Sequence, residues 1–239
     1  MKRSKLSFGF TLLLIFCLSI SSATECLAQI ADGVYFSDQN GQRHELKVKG
    51  DYLTLTVYET SPAQFIKTEG GFYSIENGQL STKLEFNSNY ESDQVSEWSR
   101  AIVVDGSKLT LGSGPSLTFT KAEPTRQELD GTWLFATRGP DEGQERRDDT
   151  NPRKTLKFLI DGRFQWIAYN TDTYKFHGTG GGSYTSTDGK YTENIEFFSR
   201  DNTRVGATLE FDYEIKEDDW HHKGKNSKGE PMYEIWSRR

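Results

Sequence analysis

Apolar and polar residues alternate with a period of two along most of this chain. The apolar members of two such stretches are Leu53, Leu55 and Val57, and Leu156, Phe158 and Ile160. Successive side chains of a β-strand point to opposite faces, so this pattern predicts strands. Between residues 29 and 239 no stretch keeps a period of 3.6, and we therefore expect any helix to be short.

Pairs of Asn or Asp followed by Gly separate several of these stretches. They occur at Asn77-Gly78, Asp105-Gly106, Asp161-Gly162 and Asp188-Gly189. Such pairs readily adopt the positive φ angles of tight hairpin turns. The sequence therefore predicts a meander of antiparallel strands.

The chain also contains an internal repeat. Residues 48–89 align without a gap with residues 159–200, and 11 of the 42 aligned pairs are identical. The offset is 111 in this region, but it is 98 where Asp32-Gly33-Val34-Tyr35 matches Asp130-Gly131-Thr132-Trp133. The second copy therefore holds about 13 extra residues, and the polar stretch 138–153 is the predicted inserted loop.

Two copies of this length predict two domains. We expect repeat 1 at residues 29–122, a short polar linker with Pro124 at residues 123–128, and repeat 2 at residues 129–239. Closing each meander into a barrel would remove its exposed edges. We thus predict an all-β fold of two tandem small antiparallel up-and-down β-barrels with about eight strands each. Two flattened β-sandwiches are the alternative.

Residues 1–28 have the composition of a secretory signal peptide. Three basic residues within positions 1–5 precede an uncharged, largely apolar run at 6–20, and small residues follow. The run is shorter than the roughly 20 residues that span a bilayer as a helix, so we expect no membrane span. We expect cleavage after Ala28, with Ala23 as the alternative, and export to the periplasm or the medium.

Removal of residues 1–28 would change both the cysteine content and the charge of the protein. Cys17 and Cys26 would leave with the signal, so we expect neither a disulfide nor a cysteine metal site. Thr24-Glu25 directly before Cys26 argue against a lipoprotein. The remaining chain would have 26 basic and 34 acidic residues, a formal charge of −8. An acidic surface disfavours nucleic acid as a partner.

Five segments of the second copy carry a family resemblance, at residues 129–133, 157–166, 181–184, 191–197 and 234–238. In this order they resemble the lipocalin-like secreted barrels of bacterial families usually called domains of unknown function. More distantly, they resemble the lipocalin and fatty-acid-binding superfamily. The resemblance implies that Trp133 packs under Arg238 and closes one end of the barrel. It implies a fold and leaves the function open.

The first copy departs from this family pattern. It has Tyr35 and Lys121 where the second copy has Trp133 and Arg238. We therefore expect its barrel to be less regular.

Two motifs suggest ligand chemistry but fit a structural role better. His221-His222 beside Asp218-Asp219 could ligate a metal ion, yet adjacent histidines on a strand point to opposite faces. The glycine-rich stretch 178–182 lacks the Lys-Ser or Lys-Thr and the helix of a phosphate loop. We expect it to form a strand bend or bulge.

No catalytic motif stands out. The chain has no Gly-x-Ser-x-Gly sequence, so a hydrolase triad is not indicated. The acids Glu85, Glu193 and Glu196 alternate with apolar residues, and we expect them mostly to face water.

Aromatic residues on the predicted strands of repeat 2 are the candidate binding residues. They are Trp166, Tyr169, Tyr184, Phe197, Phe211 and Tyr213. Those that face inward would either fill a core or line an apolar pocket with a few hydroxyl groups.

These observations favour an exported, non-catalytic protein that binds a small hydrophobic or amphipathic ligand in the second barrel, without a metal or cofactor. One alternative is an envelope protein-interaction module with solid barrel cores, whose protein partner the sequence does not identify. The second alternative is an isomerase or hydrolase that uses an acid at the barrel mouth.

Overall fold

The computed structural model describes residues 29–112, 116–226 and 228–239. The predicted signal peptide, with Cys17 and Cys26, lies outside the described residues. Across the described ranges, no helix is long and apolar enough to cross a membrane.

The strands form two closed antiparallel barrels of eight strands each. Barrel 1 consists of β1 (Gly33–Gln39), β2 (Gln42–Lys49), β3 (Tyr52–Thr60), β4 (Ala63–Glu76), β5 (Gln79–Asn87), β6 (Glu97–Asp105), β7 (Lys108–Leu111) and β8 (Leu117–Lys121). Barrel 2 consists of β9 (Gly131–Arg138), β10 (Arg153–Ile160), β11 (Arg163–Asn170), β12 (Phe176–Thr187), β13 (Lys190–Phe198), β14 (Thr208–Lys216), β15 (Asp219–Lys225) and β16 (Pro231–Arg238). A four-residue helix, α1 (Tyr90–Asp93), and a 3-10 turn (Asn202–Arg204) lie outside the strands.

Within each barrel, every strand pairs with the next one along the chain, and the last strand pairs with the first. This order confirms the predicted pair of up-and-down β-barrels rather than flattened sandwiches. The extra residues of the second copy lie between β9 and β10, at 139–152, whereas only two residues separate β1 from β2.

Tight turns occur where Asx-Gly pairs predict them. Asn77 and Gly78, which join β4 to β5, have φ angles of 51° and 73°. Asp188 and Gly189, which join β12 to β13, have φ angles of 50° and 76°. Positive φ at both central residues is the geometry of a two-residue hairpin turn, so the turn prediction is confirmed here.

The glycine-rich stretch forms the expected β-bulge. The register between β12 and β13 shifts between Gly181 and Gly182, and the first copy shifts at its equivalent glycines. A Cβ atom at Gly182 would lie 2.0 Å from the carbonyl oxygen of Asn194, so a side chain does not fit there. The bulge changes which face the following residues occupy: Ile195 lies inside barrel 2, whereas Phe197 lies against barrel 1.

One end of each barrel is covered by a cation over an aromatic ring. The guanidinium carbon of Arg238 lies 4.1 Å from the ring centroid of Trp133, whose indole N–H donates to the Leu129 carbonyl. In barrel 1 the ammonium of Lys121 lies 5.7 Å from the ring centroid of Tyr35. The two copies therefore share this arrangement in spite of the different residues.

Replacing Arg238 with alanine should lower the melting temperature. A contact between an aromatic ring and a solvent-exposed cation such as Arg238 contributes about 1 kcal/mol, which corresponds to roughly 2–4 °C in a protein of this size. Thermal unfolding followed by circular dichroism measures the shift. Lys121→Ala is the matched control and should have a smaller effect, because its cation lies farther from its ring. An unchanged midpoint for Arg238→Ala would rule out a stabilising role for this contact.

The two barrels pack through the same face of each copy. Equivalent residues meet in three aromatic pairs: Tyr58 with Phe197 at 4.8 Å between ring centroids, Tyr169 with Phe86 at 5.1 Å, and Phe65 with Phe176 at 6.4 Å. Under the 111-residue offset Tyr58 corresponds to Tyr169 and Phe86 to Phe197, so the first two pairs are equivalent contacts. In the third pair, Phe65 contacts its own equivalent, Phe176. The repeat therefore builds an interface with approximate two-fold symmetry, like that of a homodimer.

One half of this interface contains a buried charge network. The ammonium of Lys47 lies 2.7 Å from the carboxylate of Glu45, and both side chains are fully buried. Arg163, from barrel 2, bonds to Glu45 at 2.8 Å and to Glu196. Burial alone would raise the pKa of Glu45, but the charges of Arg163 and Lys47 outweigh burial and lower it to about 2.

Candidate functional site

Barrel 2 contains a cavity of about 320 Å³. Its mouth lies near the β15–β16 hairpin, with Lys225 and Asn226, at the barrel end away from Arg238. Its walls are mainly apolar and include Trp166, Ile195, Phe198, Phe211, Met232 and Trp236. The described lining also includes eight polar residues. Four of them are Thr155, Arg204, Lys225 and Asn226. The other four, Lys157, Glu193, His222 and Glu234, we call the polar floor.

Lys157 is held in place by both charge and aromatic rings. Its ammonium lies 2.9 Å from the carboxylate of Glu193, which also accepts a hydrogen bond of 2.8 Å from the Tyr191 hydroxyl. Ring centroids of four aromatic side chains surround the ammonium at 4.8–5.9 Å: Tyr191, Phe211, Trp220 and Trp236. Both members of the ion pair are buried, so the charge of Lys157 is already compensated without a ligand.

Within the polar floor, His222 is the residue whose hydrogen-bonding atoms have no partner in the described part of the chain. Its side chain is 2% exposed, and neither ring nitrogen has a hydrogen-bond partner among the described residues. The Nδ1 atom lies 3.6 Å from the Glu234 carboxylate, which is longer than a hydrogen bond. Burial, together with the charge of Lys157, lowers the pKa of His222 to about 4. The imidazole is therefore neutral at pH 7 and presents one donor and one acceptor.

The internal repeat shows that this barrel fold does not need a polar floor. The strand registers place four barrel 1 residues at the equivalent positions: Leu46 for Lys157, Thr82 for Glu193, Leu111 for His222 and Leu117 for Glu234. Barrel 1 thus has three leucines and a threonine at the positions where barrel 2 has charged groups and an imidazole.

The aromatic residues expected to line the cavity occupy three different places. Trp166 and Phe211 line it. Tyr184 and Tyr213 lie inside barrel 2 in the apolar core, with hydroxyls that donate to Asp130 and Glu128.

Tyr169 and Phe197 lie outside the cavity and contact barrel 1, which differs from the expectation for these two residues. Tyr169 is three residues after Trp166 on the same strand, so the two side chains point to opposite faces. Phe197 follows the β-bulge and is turned outward by it.

The three acids expected to face water do not do so. Glu193 is buried in the polar floor. Glu85 and Glu196 lie between the barrels, where Glu85 pairs with Arg239 at 2.6 Å and Glu196 pairs with Arg163. Glu193 lies on the interior face of β13, whose outer face is exposed at Lys190 and Asn194, whereas Glu85 and Glu196 lie on the part of their strands that the other barrel covers. Alternation with apolar residues therefore does not say which side of a strand faces water.

The histidine pair is divided between the two faces of β15. His222 points into the barrel, whereas the Nδ1 atom of His221 lies 2.8 Å from the Tyr233 hydroxyl on the other face. Among the described residues, no group of three His, Cys, Asp or Glu side chains could hold a metal ion.

Barrel 1 carries a wider groove of about 590 Å³ on the outer side of β4, β5 and β6. Most of its lining side chains are exposed, among them Phe72, Lys83 and Glu97. The groove is part of the open sheet surface, whereas the cavity of barrel 2 is lined mostly by buried and half-buried residues, so the cavity is the stronger candidate site.

The fold and the site define this protein as a tandem pair of closed antiparallel β-barrels, the second of which encloses a cavity with a polar floor. Residues 128–239, which include the whole of barrel 2, match a domain of unknown function, DUF4488. No curated protein matches the chain.

The buried His222 should make stability depend on pH between about 6.5 and 4. In this window the unfolded chain protonates the imidazole and the folded chain does not. The contribution of neutral His222 to the free energy of unfolding is therefore complete above about pH 6.5. It is lost as the pH drops towards 4, and the loss is roughly 3 kcal/mol for a shift of this size.

Replacing His222 with leucine, the residue at the equivalent position of barrel 1, should remove most of this pH dependence. Urea unfolding at a series of pH values measures it. His221→Leu is the matched control on the outer face and should keep most of the wild-type slope. If the free energy of unfolding of wild type and of His222→Leu changed with pH in the same way, His222 would not be the source of the pH dependence.

Proposed function

We propose that this is an exported, non-catalytic, lipocalin-like protein that binds one small amphipathic molecule in the cavity of barrel 2. The observation that carries the proposal is a cavity with aromatic walls and a few buried polar groups, which is the usual composition of small-molecule sites. Its volume of about 320 Å³ falls at the small end of such sites. Export rests on the composition of residues 1–28.

The polar floor supports ligand binding over a solid core. Burying charged and unpaired polar groups is costly, and leucines occupy the equivalent positions in barrel 1. A barrel that served only as an interaction module would gain stability from the same leucines. The polar floor is therefore best explained by a ligand that contacts it.

The polar floor gives less support to a barrel-mouth isomerase or hydrolase. A general acid working near neutral pH needs a raised carboxyl pKa. Burial raises the pKa of Glu234, but the nearby His222 and the charge of Lys157 outweigh burial, so the pKa is lowered overall. Glu193 is paired with Lys157.

The proposal is tested by extracting small molecules from residues 29–239 purified from the envelope of the producing cell. The recovered compound should quench tryptophan fluorescence on return to the delipidated protein, because Trp166 and Trp236 line the cavity. Trp166→Phe should reduce the amplitude of quenching. An extract with no compound that rebinds would count against a ligand-binding function.

A further inference from the structure

We propose that the ligand of barrel 2 is a small hydroxylated aromatic molecule whose uncharged hydroxyl group bonds to His222. This inference rests on the proposed function and specifies its ligand class. Three features of the cavity support it: the charges of the polar floor, the ring nitrogens of His222, which have no partner among the described residues, and the aromatic walls.

The charges of the polar floor disfavour a charged head group. A ligand carboxylate bonded to His222 would face Glu193 and Glu234, while the single cation of the floor, Lys157, is already bonded to Glu193 at 2.9 Å. The other cations that line the cavity, Arg204 and Lys225, are not part of this floor, and Lys225 is exposed to solvent. A ligand ammonium would be attracted to Glu234, but that carboxylate already accepts from the Trp236 indole N–H at 3.2 Å, and the ligand would lie near the ammonium of Lys157, which is within 6 Å of four aromatic ring centroids. An uncharged head avoids both repulsions.

His222 is suited to a hydroxyl group. The imidazole is buried and lines the cavity, and within the described chain neither ring nitrogen has a partner. A hydroxyl both donates and accepts, so it can bond to either nitrogen of a neutral imidazole in either tautomer. A ligand without such a group leaves the imidazole unsatisfied, as it is in the unliganded protein, and gains no hydrogen bond there.

The walls favour a flat body. Trp166 and Phe198 form an edge-to-face pair with ring centroids 5.5 Å apart, and Phe211 and Trp236 line the same space. Aromatic side chains pack well against another aromatic ring in offset or edge-to-face geometry. The small volume also favours a compact ring system over a long acyl chain.

Isothermal titration calorimetry of the purified, delipidated protein with four naphthalene compounds tests the inference at neutral pH. The compounds share one body and differ in the head group: 2-naphthol, 2-naphthoate, 2-naphthylmethylamine and naphthalene itself. We expect 2-naphthol to bind about tenfold or more tightly than naphthalene, since one hydrogen bond to a buried group contributes about that much. The charged compounds should bind more weakly than 2-naphthol.

Variants at His222 connect this preference to the imidazole. His222→Leu should reduce the affinity for 2-naphthol about tenfold and leave that for naphthalene within about threefold. His222→Gln keeps a donor and an acceptor and should retain part of the preference. His221→Leu, on the outer face of β15, should change neither affinity. Leucine at the equivalent position of barrel 1 indicates that the fold accepts the first variant, and its thermal midpoint checks this.

Equal or tighter binding of 2-naphthoate or 2-naphthylmethylamine would overturn the inference and leave the proposed function standing. A preference for 2-naphthol that persists in His222→Leu would also overturn it. If none of the four compounds binds, the inference fails, and the extraction experiment then decides the proposed function separately. If an extracted compound rebinds to the delipidated protein, the proposed function stands and its ligand belongs to another class.

Discussion

Replacing Arg163 with alanine is expected to lower the free energy of unfolding by about 3–5 kcal/mol. Arg163 joins the barrels by bonding to Glu45 and Glu196, and Glu45 is fully buried. Without Arg163 the network keeps two carboxylates, Glu45 and Glu196, but only one cation, Lys47, so one negative charge is left uncompensated, and the loss of such a partner has an effect of this size. Thermal or urea unfolding measures it, with a fall in the melting temperature on the order of 10 °C.

An exposed ion pair provides the matched control. Lys190 pairs with Asp212 on the solvent side of barrel 2, where both side chains are largely exposed. Lys190→Ala should leave the unfolding midpoint nearly unchanged, because water and salt screen such pairs. If the two variants had equally small effects, the interface network would contribute little to stability.

Filling the cavity mouth with Ala207→Trp should abolish ligand binding while the barrels stay folded. Ala207 lines the cavity and is partly buried against the core of barrel 2. An indole at this position would occupy much of the space that a ligand needs. We expect the affinity to fall by about two orders of magnitude or more, equivalent to about 3 kcal/mol, in a titration with the recovered compound.

The repeat supplies a control for this variant. Ser96 is the barrel 1 equivalent of Ala207, because Ser96 accepts from the Leu84 amide as Ala207 accepts from the Ile195 amide. Ser96→Trp introduces the same side chain at the same place in the other barrel and should leave the affinity unchanged. Loss of binding in Ser96→Trp but not in Ala207→Trp would place the ligand in barrel 1.

Much of the fold follows from the sequence, because local signals and the repeat agree. Period-two alternation and the Asx-Gly pairs predict antiparallel hairpins, and the structure has them at Asn77-Gly78 and Asp188-Gly189. The glycine-rich stretch predicts a bulge, and the register shifts between Gly181 and Gly182. Each of these signals depends on neighbouring residues alone, so no knowledge of the tertiary packing is needed.

The interface between the barrels could not be predicted in this way. Leu156, Phe158 and Ile160 alternate as an interior face should, yet they form the cluster that packs between the barrels. The inward-facing residues of the same strand include Lys157 and Leu159. Period two identifies the two faces of a strand, but it does not say which one is the interior when both are covered.

The polar floor was missed for a related reason. Lys157 stands within an apolar run, and His222 stands beside a second histidine that suggests a metal site. Aligning the two copies position by position would have shown Leu46 and Leu111 in their places. Glu193 lies within the gapless part of the repeat, with Thr82 in its place, and the same offset extended by two residues places Leu46 at Lys157. The position of Glu234 required the strand register.

Native mass spectrometry of residues 29–239 from their own envelope fraction tests the central claim most directly, with Ala207→Trp and Ser96→Trp prepared in parallel. A small-molecule adduct of one per chain on the wild type and Ser96→Trp, absent from Ala207→Trp, is the predicted result. Ligand-free masses for all three proteins, with each shown to be folded, would contradict the account of barrel 2 as a binding site.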